Sequence, residues 1–356
     1  MNILVINSGS SSIKYKLFHM PGRKLLSKGS IEHIAEKGSD VADHYSGLKL
    51  ILSKINSIDA VGHRVVHGAE RFKKSILVDK TVIRKIKQCC AIAPLHNPAN
   101  LAGIMACAKL IPGIKQVAVF DTAFHQSIPN YAYIYGLPYE LYTKLGIRKY
   151  GFHGTSHEYV AHEAARILNK KLHQLKIITC HLGNGCSITA VNKGKSIDTS
   201  MGFTPLEGLV MGTRCGDVDP ALIPHIMRKR KLGVDEMDAL LNKASGLKGI
   251  SGISNDMRIL EEKAGKGDKR AKLATDIFAY RIRKYIGAYT TVMGGCDCLV
   301  FTAGIGENQK SVRSKITKNI FKHLKKIPKI LVIPTNEELM IAKQTYLLIK
   351  DSYKPG

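Results

Sequence analysis

The strongest constraint on how this chain can fold is that its two halves repeat one pattern. Near the start, the β-rich run Ile3-Leu4-Val5-Ile6-Asn7 meets the turn Ser8-Gly9-Ser10-Ser11 and continues into the alternating run Ser12-Ile13-Lys14-Tyr15-Lys16-Leu17-Phe18. The turn Pro21-Gly22 and a third apolar run around Leu25-Leu26 follow. Much later, Ile177-Ile178-Thr179-Cys180 leads through Leu182-Gly183-Asn184-Gly185 to Cys186-Ser187-Ile188-Thr189-Ala190-Val191. The turn Asn192-Lys193-Gly194 then opens Ser196-Ile197-Asp198. Each half reads as strand, hairpin, strand, turn, strand, because Gly, Ser and Asn supply the turn conformations that close antiparallel pairs. A further strand is expected in each half: Val117–Phe120, ending at Asp121, and Leu299–Phe301, ending at Thr302-Ala303-Gly304. Helical patterns lie between. Thr155-x-x-Glu158 has capping-box spacing ahead of Tyr159–Leu168, and Leu273, Ile277, Phe278, Ile282 and Ile286 recur at a spacing of 3–4. Repeated hairpin units followed by helices and parallel strands predict an α/β chain of two similarly built domains, with the ligand in a cleft between them.

Composition narrows the class. A length of 356 residues suits two domains of roughly 150 each. With 44% hydrophobic and 23% charged residues, the chain has the make-up of a packed globular protein and not of a disordered or fibrous one. No apolar run approaches the ~18 residues needed to cross a bilayer. Met1–Ser12 lacks the basic flank of a secretory signal and is expected to be a first strand entering a turn. The eight cysteines include adjacent Cys89-Cys90 and Cys296-x-Cys298, neither with zinc-site spacing. Reduced, mostly buried thiols in a cytoplasmic protein are the expectation. Fifty-four Lys+Arg against 28 Asp+Glu leave a net charge of +26. The bases are dispersed, and the densest cluster, Lys322-His323-Leu324-Lys325-Lys326-Ile327-Pro328-Lys329, is interleaved with apolar residues. With no Trp and few aromatics to stack bases, specific nucleic-acid binding is not expected, whereas anionic small substrates would be attracted.

The residues able to do chemistry gather at turns. Asn7–Ser12, His181–Gly185 and Gly304-Ile305-Gly306-Glu307-Asn308 are Gly-rich turns at strand ends, where backbone N–H groups can approach phosphate oxygens. One such turn is simply a tight hairpin; three at corresponding places point to a nucleotide cradle. Gly194-Lys195-Ser196 lacks the earlier glycine of a P-loop, and no G-x-G-x-x-G occurs. Arg64 in Gly62-His63-Arg64-Val65-Val66-His67-Gly68 and Arg214 in Met211-Gly212-Thr213-Arg214-Cys215-Gly216-Asp217 sit beside glycine and apolar residues, either as structural ion pairs or as guanidinium groups aimed into a site. Asp121 stands at a strand end, and Tyr150–His157 introduces the expected helix cap. His153 and His157 are four apart, but without an intervening H-E-x-x-H glutamate a zinc site is not expected. Ser156-His157 lacks a G-x-S-x-G elbow, so helix capping explains that serine better than nucleophilic catalysis.

At these residues the chain resembles the acetate kinase family. The resemblance runs through Val5–Lys14, His63–Gly68, Pro94-Leu95-His96-Asn97-Pro98, Phe120–His125, Tyr150–His157, His181–Gly185, Met211–Asp217, Asp256–Arg258, Phe301–Asn308 and Pro334–Glu338, in family order. The segments between Ser30 and Asp59 and between Asn308 and Glu337 are shorter than usual. Ala69 stands where a second glycine is usual after His67-Gly68.

The resemblance implies two duplicated ribonuclease-H-like domains of the actin-like ATPase fold. Residues 1–149 plus 338–356 would form the first and 150–337 the second. It implies reversible Mg²⁺-dependent transfer of the ATP γ-phosphoryl to acetate, with Mn²⁺ a possible substitute, in a homodimer. The roles follow the family motifs. Asp121, His153 and Arg214 would be catalytic; Arg64, Val66, Leu95, Phe152 and Pro205 would bind the substrate. Lys14, His181, Leu182, Gly183, Asn184, Gly185, Asp256, Met257, Arg258, Gly304, Ile305, Gly306, Glu307 and Asn308 would bind the nucleotide. Asn7 and Glu337 would hold the metal. Because acetate is already ionised at neutral pH, Asp121 is expected to orient Arg214 or a metal-bound water. Val66 favours acetate over propionate, a propionate kinase being the alternative within the family. A chaperone-like ATPase, the rival of another class, has no use for the two arginines as a carboxylate clamp.

Overall fold

The computed structural model describes residues 1–322 and 324–352; His323 of the basic cluster and residues 353–356 of the expected first domain lie outside the described residues. The chain divides into two compact units, one of residues 1–126, 154–156 and 336 onward, the other of residues 127–153 and 157–335.

The first unit is built on a six-stranded sheet of β1 (Asn2–Ser8), β2 (Ile13–His19), β3 (Lys24–Ile31), β4 (Ala60–Val65), β5 (Ile76–Leu77) and β6 (Lys115–Phe120), in the order β3-β2-β1-β4-β6-β5. Successive side chains of a strand point to opposite faces, and β1 divides its residues accordingly. Leu4 and Ile6 pack with Leu48 and Ile51 of the helix His44–Leu52 and Cys107 of the helix Asn97–Leu110. Ile3 and Val5 pack with Ile341 and Ile349 of the helix Glu337–Asp351. A strand covered on both faces has no polar side to show, which is why Ile3–Ile6 is continuously apolar.

The second unit holds β7 (Lys176–Leu182), β8 (Cys186–Asn192), β9 (Lys195–Thr199), β10 (Cys298–Thr302) and β11 (Lys329–Val332), in the order β11-β10-β7-β8-β9. The long helix Lys269–Val292 buries Phe278, Ile282 and Ile286, as their spacing predicts, and Asp268 caps it by accepting from the Ala271 N–H at 2.8 Å.

Five strands of the first sheet repeat the topology of the second, while β5, antiparallel to β6, has no counterpart. In both sheets three antiparallel strands are followed by two parallel ones on the far side of the first strand. Even the register shift matches: it falls after Leu17 in β2 and after Ala190 in β8, the fifth residue of each strand. One expectation is corrected. Leu299–Phe301 lies on β10, directly beside β7, so its counterpart is β4 beside β1, not Val117–Phe120; the counterpart of β6 is β11. The sequence from Gly62 to Gly68 reads as a polar motif, and that masks the strand it terminates.

The division also differs from the expected boundaries at 149/150 and 337/338. Residues 127–149 group with the second unit because their polar side chains are spent there. The Ser127 hydroxyl donates to the Ser196 carbonyl at 2.9 Å, Tyr135 donates to Glu207 at 2.8 Å, and half-buried Lys149 reaches Asp198 at 3.1 Å and Glu207 at 3.2 Å. No described helix is long and apolar enough to cross a membrane.

Candidate active site

In the first unit, the ends of β4 and β6 place Arg64 and Asp121 side by side. The Asp121 N–H donates to the Val65 carbonyl at 3.0 Å, carrying the pairing of the two strands one step further. Arg64 Nε lies 3.2 and 3.1 Å from the two Asp121 carboxylate oxygens, and Nη2 lies 2.6 Å from Oδ2. This is the bidentate, charge-assisted geometry in which arginine pairs most strongly. The Thr155 hydroxyl donates to Asp121 Oδ1 at 3.1 Å, and Glu337 Oε2 stands 3.8 Å from Arg64 Nη1. Burial works against the charge of Arg64, but Asp121 and then Glu337 more than offset it, so its pKa is raised. Burial is also the first cause that lifts the Glu337 carboxyl above the ordinary range; Arg64 pulls it down, while Asp121 and Glu338 push it further up.

Asp121 is engaged by Arg64, a partner that the expected orienting of Arg214 or a metal-bound water did not name. One expectation changes. The helix Gly154–Ile167 begins one residue ahead of Thr155, with His153 at its N-cap and no side-chain cap bond. Thr155 is therefore inside the first turn, and its hydroxyl serves Asp121 instead of the helix end.

In the second unit the site gathers around the β7–β8 hairpin tip. A Cβ built on Gly185 would stand 3.3 Å from Arg214 Nη1 and 3.5 Å from His153 Cε1, so the glycine leaves both side chains room to converge. His153 is left-handed (φ 57°), its ring stacks on His181 at 4.2 Å, and its Nδ1 is 2.9 Å from Ser187 Oγ. Ser187 Oγ is also 2.6 Å from His157 Nε2, and His157 Nδ1 is 2.7 Å from Thr179 Oγ1. With both ring nitrogens so engaged, His157 acts as a brace and not as a metal ligand. Arg214 differs from Arg64: Nη1 donates to the Pro205 carbonyl at 3.1 Å, and among the described residues no carboxylate is within ion-pair distance. Burial lowers its pKa, and only the Cys186 thiol works the other way.

The loop carrying Arg214 is held by backbone. Met211 N–H donates to the Arg214 carbonyl at 3.1 Å, closing a turn. The first N–H groups of the helix Gly246–Ser251, which have no partner within a helix, reach back to the loop: Leu247 to Met211 at 2.8 Å and Lys248 to Gly212 at 3.0 Å. Gly212 also donates to the Asn184 carbonyl at 3.1 Å, tying this loop to the hairpin tip.

The residues expected to receive a nucleotide fall into two kinds. Asn184, Gly304 and Asn308 are exposed, and His181, Gly183, Gly185 and Ile305 are half-buried. Leu182, Met257 and Gly306 are buried, so the two side chains among them pack inward. Asp256 caps the helix Met257–Gly265 by accepting from the Arg258 N–H at 2.9 Å. Glu307 spends its carboxylate on the N–H groups of Ala303 at 2.8 Å and Thr335 at 3.2 Å, so it clamps the end of β10. Lys14 is exposed on β2, directly opposite Asn7 in the ladder. Of the expected substrate pocket, Phe152 is buried, Val66 and Pro205 are half-buried, and Leu95 is 69% exposed. Reading the sequence alone misses Ser187 and Thr179, whose only signal is polarity inside buried strands.

Two sheets sharing one strand order, each with three antiparallel strands leading two parallel ones, define the actin-like ATPase fold. Residues 2–327 match the model of the acetokinase family. An acetate kinase of Halothermothrix orenii is 52% identical over 397 residues, covering 98% of this chain and all of the relative. That span exceeds the 356 residues here, so the relative carries segments this chain lacks. The structure of a Porphyromonas gingivalis acetate kinase is 43% identical with a TM-score of 0.92, covering 98% of this chain and 99% of the other. That of a Francisella tularensis propionate kinase is 44% identical with a TM-score of 0.90, covering 97% and 99%. The chain belongs to the acetokinase family.

Proposed function

We propose that this chain catalyses the reversible transfer of the γ-phosphoryl of ATP to acetate, giving acetyl phosphate and ADP by direct in-line attack. The observation that carries the reading is Arg214, a partly buried guanidinium beside His153 with no carboxylate within ion-pair distance among the described residues. A desolvated cation without a counter-ion is costly, and an anion arriving there removes the cost. A phosphoryl group in flight spreads charge over three equatorial oxygens, so donors fixed around it supply most of the catalysis. Arg214 and His153 would bind those oxygens, with Ser187 and His157 keeping the His153 ring in place.

Arg64 would orient the acceptor carboxylate while Asp121 holds its guanidinium. Asp121 has the Arg64 and Thr155 donors on its oxygens, which suits a positioning role better than proton transfer. Acetate is a carboxylate at neutral pH and needs no base in order to attack. Val66, Leu95, Phe152 and Pro205 would meet the methyl group. His181, Leu182, Gly183, Asn184 and Gly185, with Asp256–Arg258, Gly304–Asn308 and Lys14, would receive the nucleotide.

Asn7 and Glu337 would hold Mg²⁺, partly through water, with Mn²⁺ as a substitute. The donors suit that ion: no described cluster offers three His, Cys, Asp or Glu side chains, and Mg²⁺ keeps several waters and uses few carboxylates. The lifted Glu337 carboxyl also marks an acidic group that a cation would relieve. When bound, the ion neutralises charge on the transferring phosphates. A cytoplasmic homodimer completes the reading, supported by family membership and by eight free thiols.

A hydroxylamine trap with ATP, Mg²⁺ and acetate, propionate or butyrate tests it. Acetyl hydroxamate should dominate and propionyl hydroxamate be weaker, since one methylene in such a pocket is worth about 1–3 kcal/mol. ATP hydrolysis with no trapped acyl phosphate would favour the chaperone-like alternative, and a propionate preference would make the chain a propionate kinase.

A further inference from the structure

The helix Asn97–Leu110 carries Asn97, Asn100 and Gly103 at three-residue spacing, and all three are buried. Residues at that spacing share one face of a helix. Asn97 Oδ1 accepts from the His67 N–H at 3.0 Å and its Nδ2 donates to the His67 carbonyl at 2.8 Å. Asn100 Oδ1 accepts from the Val66 N–H at 3.0 Å and its Nδ2 donates to the Ser8 carbonyl at 2.7 Å. The β4 strand ends at Val65, so Val66 and His67 have left the ladder and need other partners for their backbone groups. The two amides supply them, one helical turn apart.

Gly103 completes the stripe for a steric reason. A Cβ there would crowd the Ser8 side chain, so the glycine lets the helix lie close against the end of β1. Asn100 joins Ser8 to Val66.

We propose that Asn100 is a positioning residue for acyl-chain specificity: by joining Ser8 to Val66 it sets how far the Val66 side chain reaches toward the substrate methyl. This rests on the reading above, in which Val66 lines the acyl pocket. Asn100 touches no substrate; it acts through the backbone of Val66.

The test compares kcat/KM for acetate and propionate in the full chain and in Asn100→Ala and Asn100→Asp, with Tm and ATP affinity measured alongside. Asn100→Ala should narrow the acetate-to-propionate ratio by about threefold to tenfold while ATP affinity stays within about twofold. Asn100→Asp keeps the acceptor for the Val66 N–H but loses the donor to the Ser8 carbonyl, so it also breaks the join and should narrow the ratio in the same direction. Should Asn100→Ala fail to fold, Asn100→Asp carries the test, and Asn97→Ala, which removes only the pair on His67, should leave the ratio near its original value. A ratio unchanged in both variants, with only Tm lowered, overturns the inference. If the unmodified chain forms no acyl phosphate from either acid, the functional reading falls and takes this inference with it.

Discussion

His63 on β4 and His67 just beyond it show how burial fixes a charge state. Burial pulls both pKa values down to about 4. An unfolded histidine takes up its proton near pH 6.5, whereas these hold out to about 4 in the fold. The unfolded state therefore binds more protons between those values. Stability from this pair is fully present above pH 6.5 and is lost as pH falls toward 4. Thermal unfolding should show a falling Tm between pH 6.5 and about 5, where most carboxylates are still ionised. A flat Tm across that window would contradict the assignment. Arg64 and Arg214 make the complementary point. Arg64 is matched by Asp121 and Glu337, whereas among the described residues Arg214 has no carboxylate within ion-pair distance.

At the scale of elements, some of the left-handed backbone falls beside the site motifs. Ala69, His153 and Ala303 all have positive φ, at 50°, 57° and 64°, in loops that follow strands or open helices. Left-handed backbone is costly for a residue with a Cβ and persists where the surroundings impose it. Ala69 occupies the position where a second glycine is usual in the family, and its conformation gives the reason for that glycine. Ala69→Gly should raise unfolding free energy by about 1 kcal/mol or less, the relieved strain being partly offset by the entropy of the unfolded chain. Chemical denaturation measures it, and a clear loss of stability would contradict the strain.

The repeated hairpins were legible because turn residues and alternating apolar runs are local signals. The equivalence of β4 and β10 was not, since β4 ends in a run of His and Arg that only the site explains. Thr155 has the spacing of a cap, yet a buried Asp121 competes for its hydroxyl and prevails. The site motifs were legible as blocks of glycine and arginine. Their supports were not, because Ser187, Thr179 and Asn100 act through partners far away in sequence.

On the scale of the whole molecule, the chain keeps the family's two sheets while being shorter than the relatives it matches. The net charge of +26 is spread along the surface, as in the helix Leu222–Arg230, whose last turn carries Arg228, Lys229 and Arg230 beside the negative end of its dipole. Residues proposed for the carboxylate and the metal, with Lys14 for the nucleotide, belong to the first unit; the other residues proposed for the nucleotide, with Arg214 and His153, belong to the second. The most direct measurement is the rate of acetyl hydroxamate formation by the chain and by its Arg214→Ala variant, with and without added guanidinium. Loss of a fixed donor to transition-state charge should cost about 10²–10³ in rate, partly restored by the free cation, with Tm unchanged. A variant that turns over as fast as the unmodified chain would contradict the central claim.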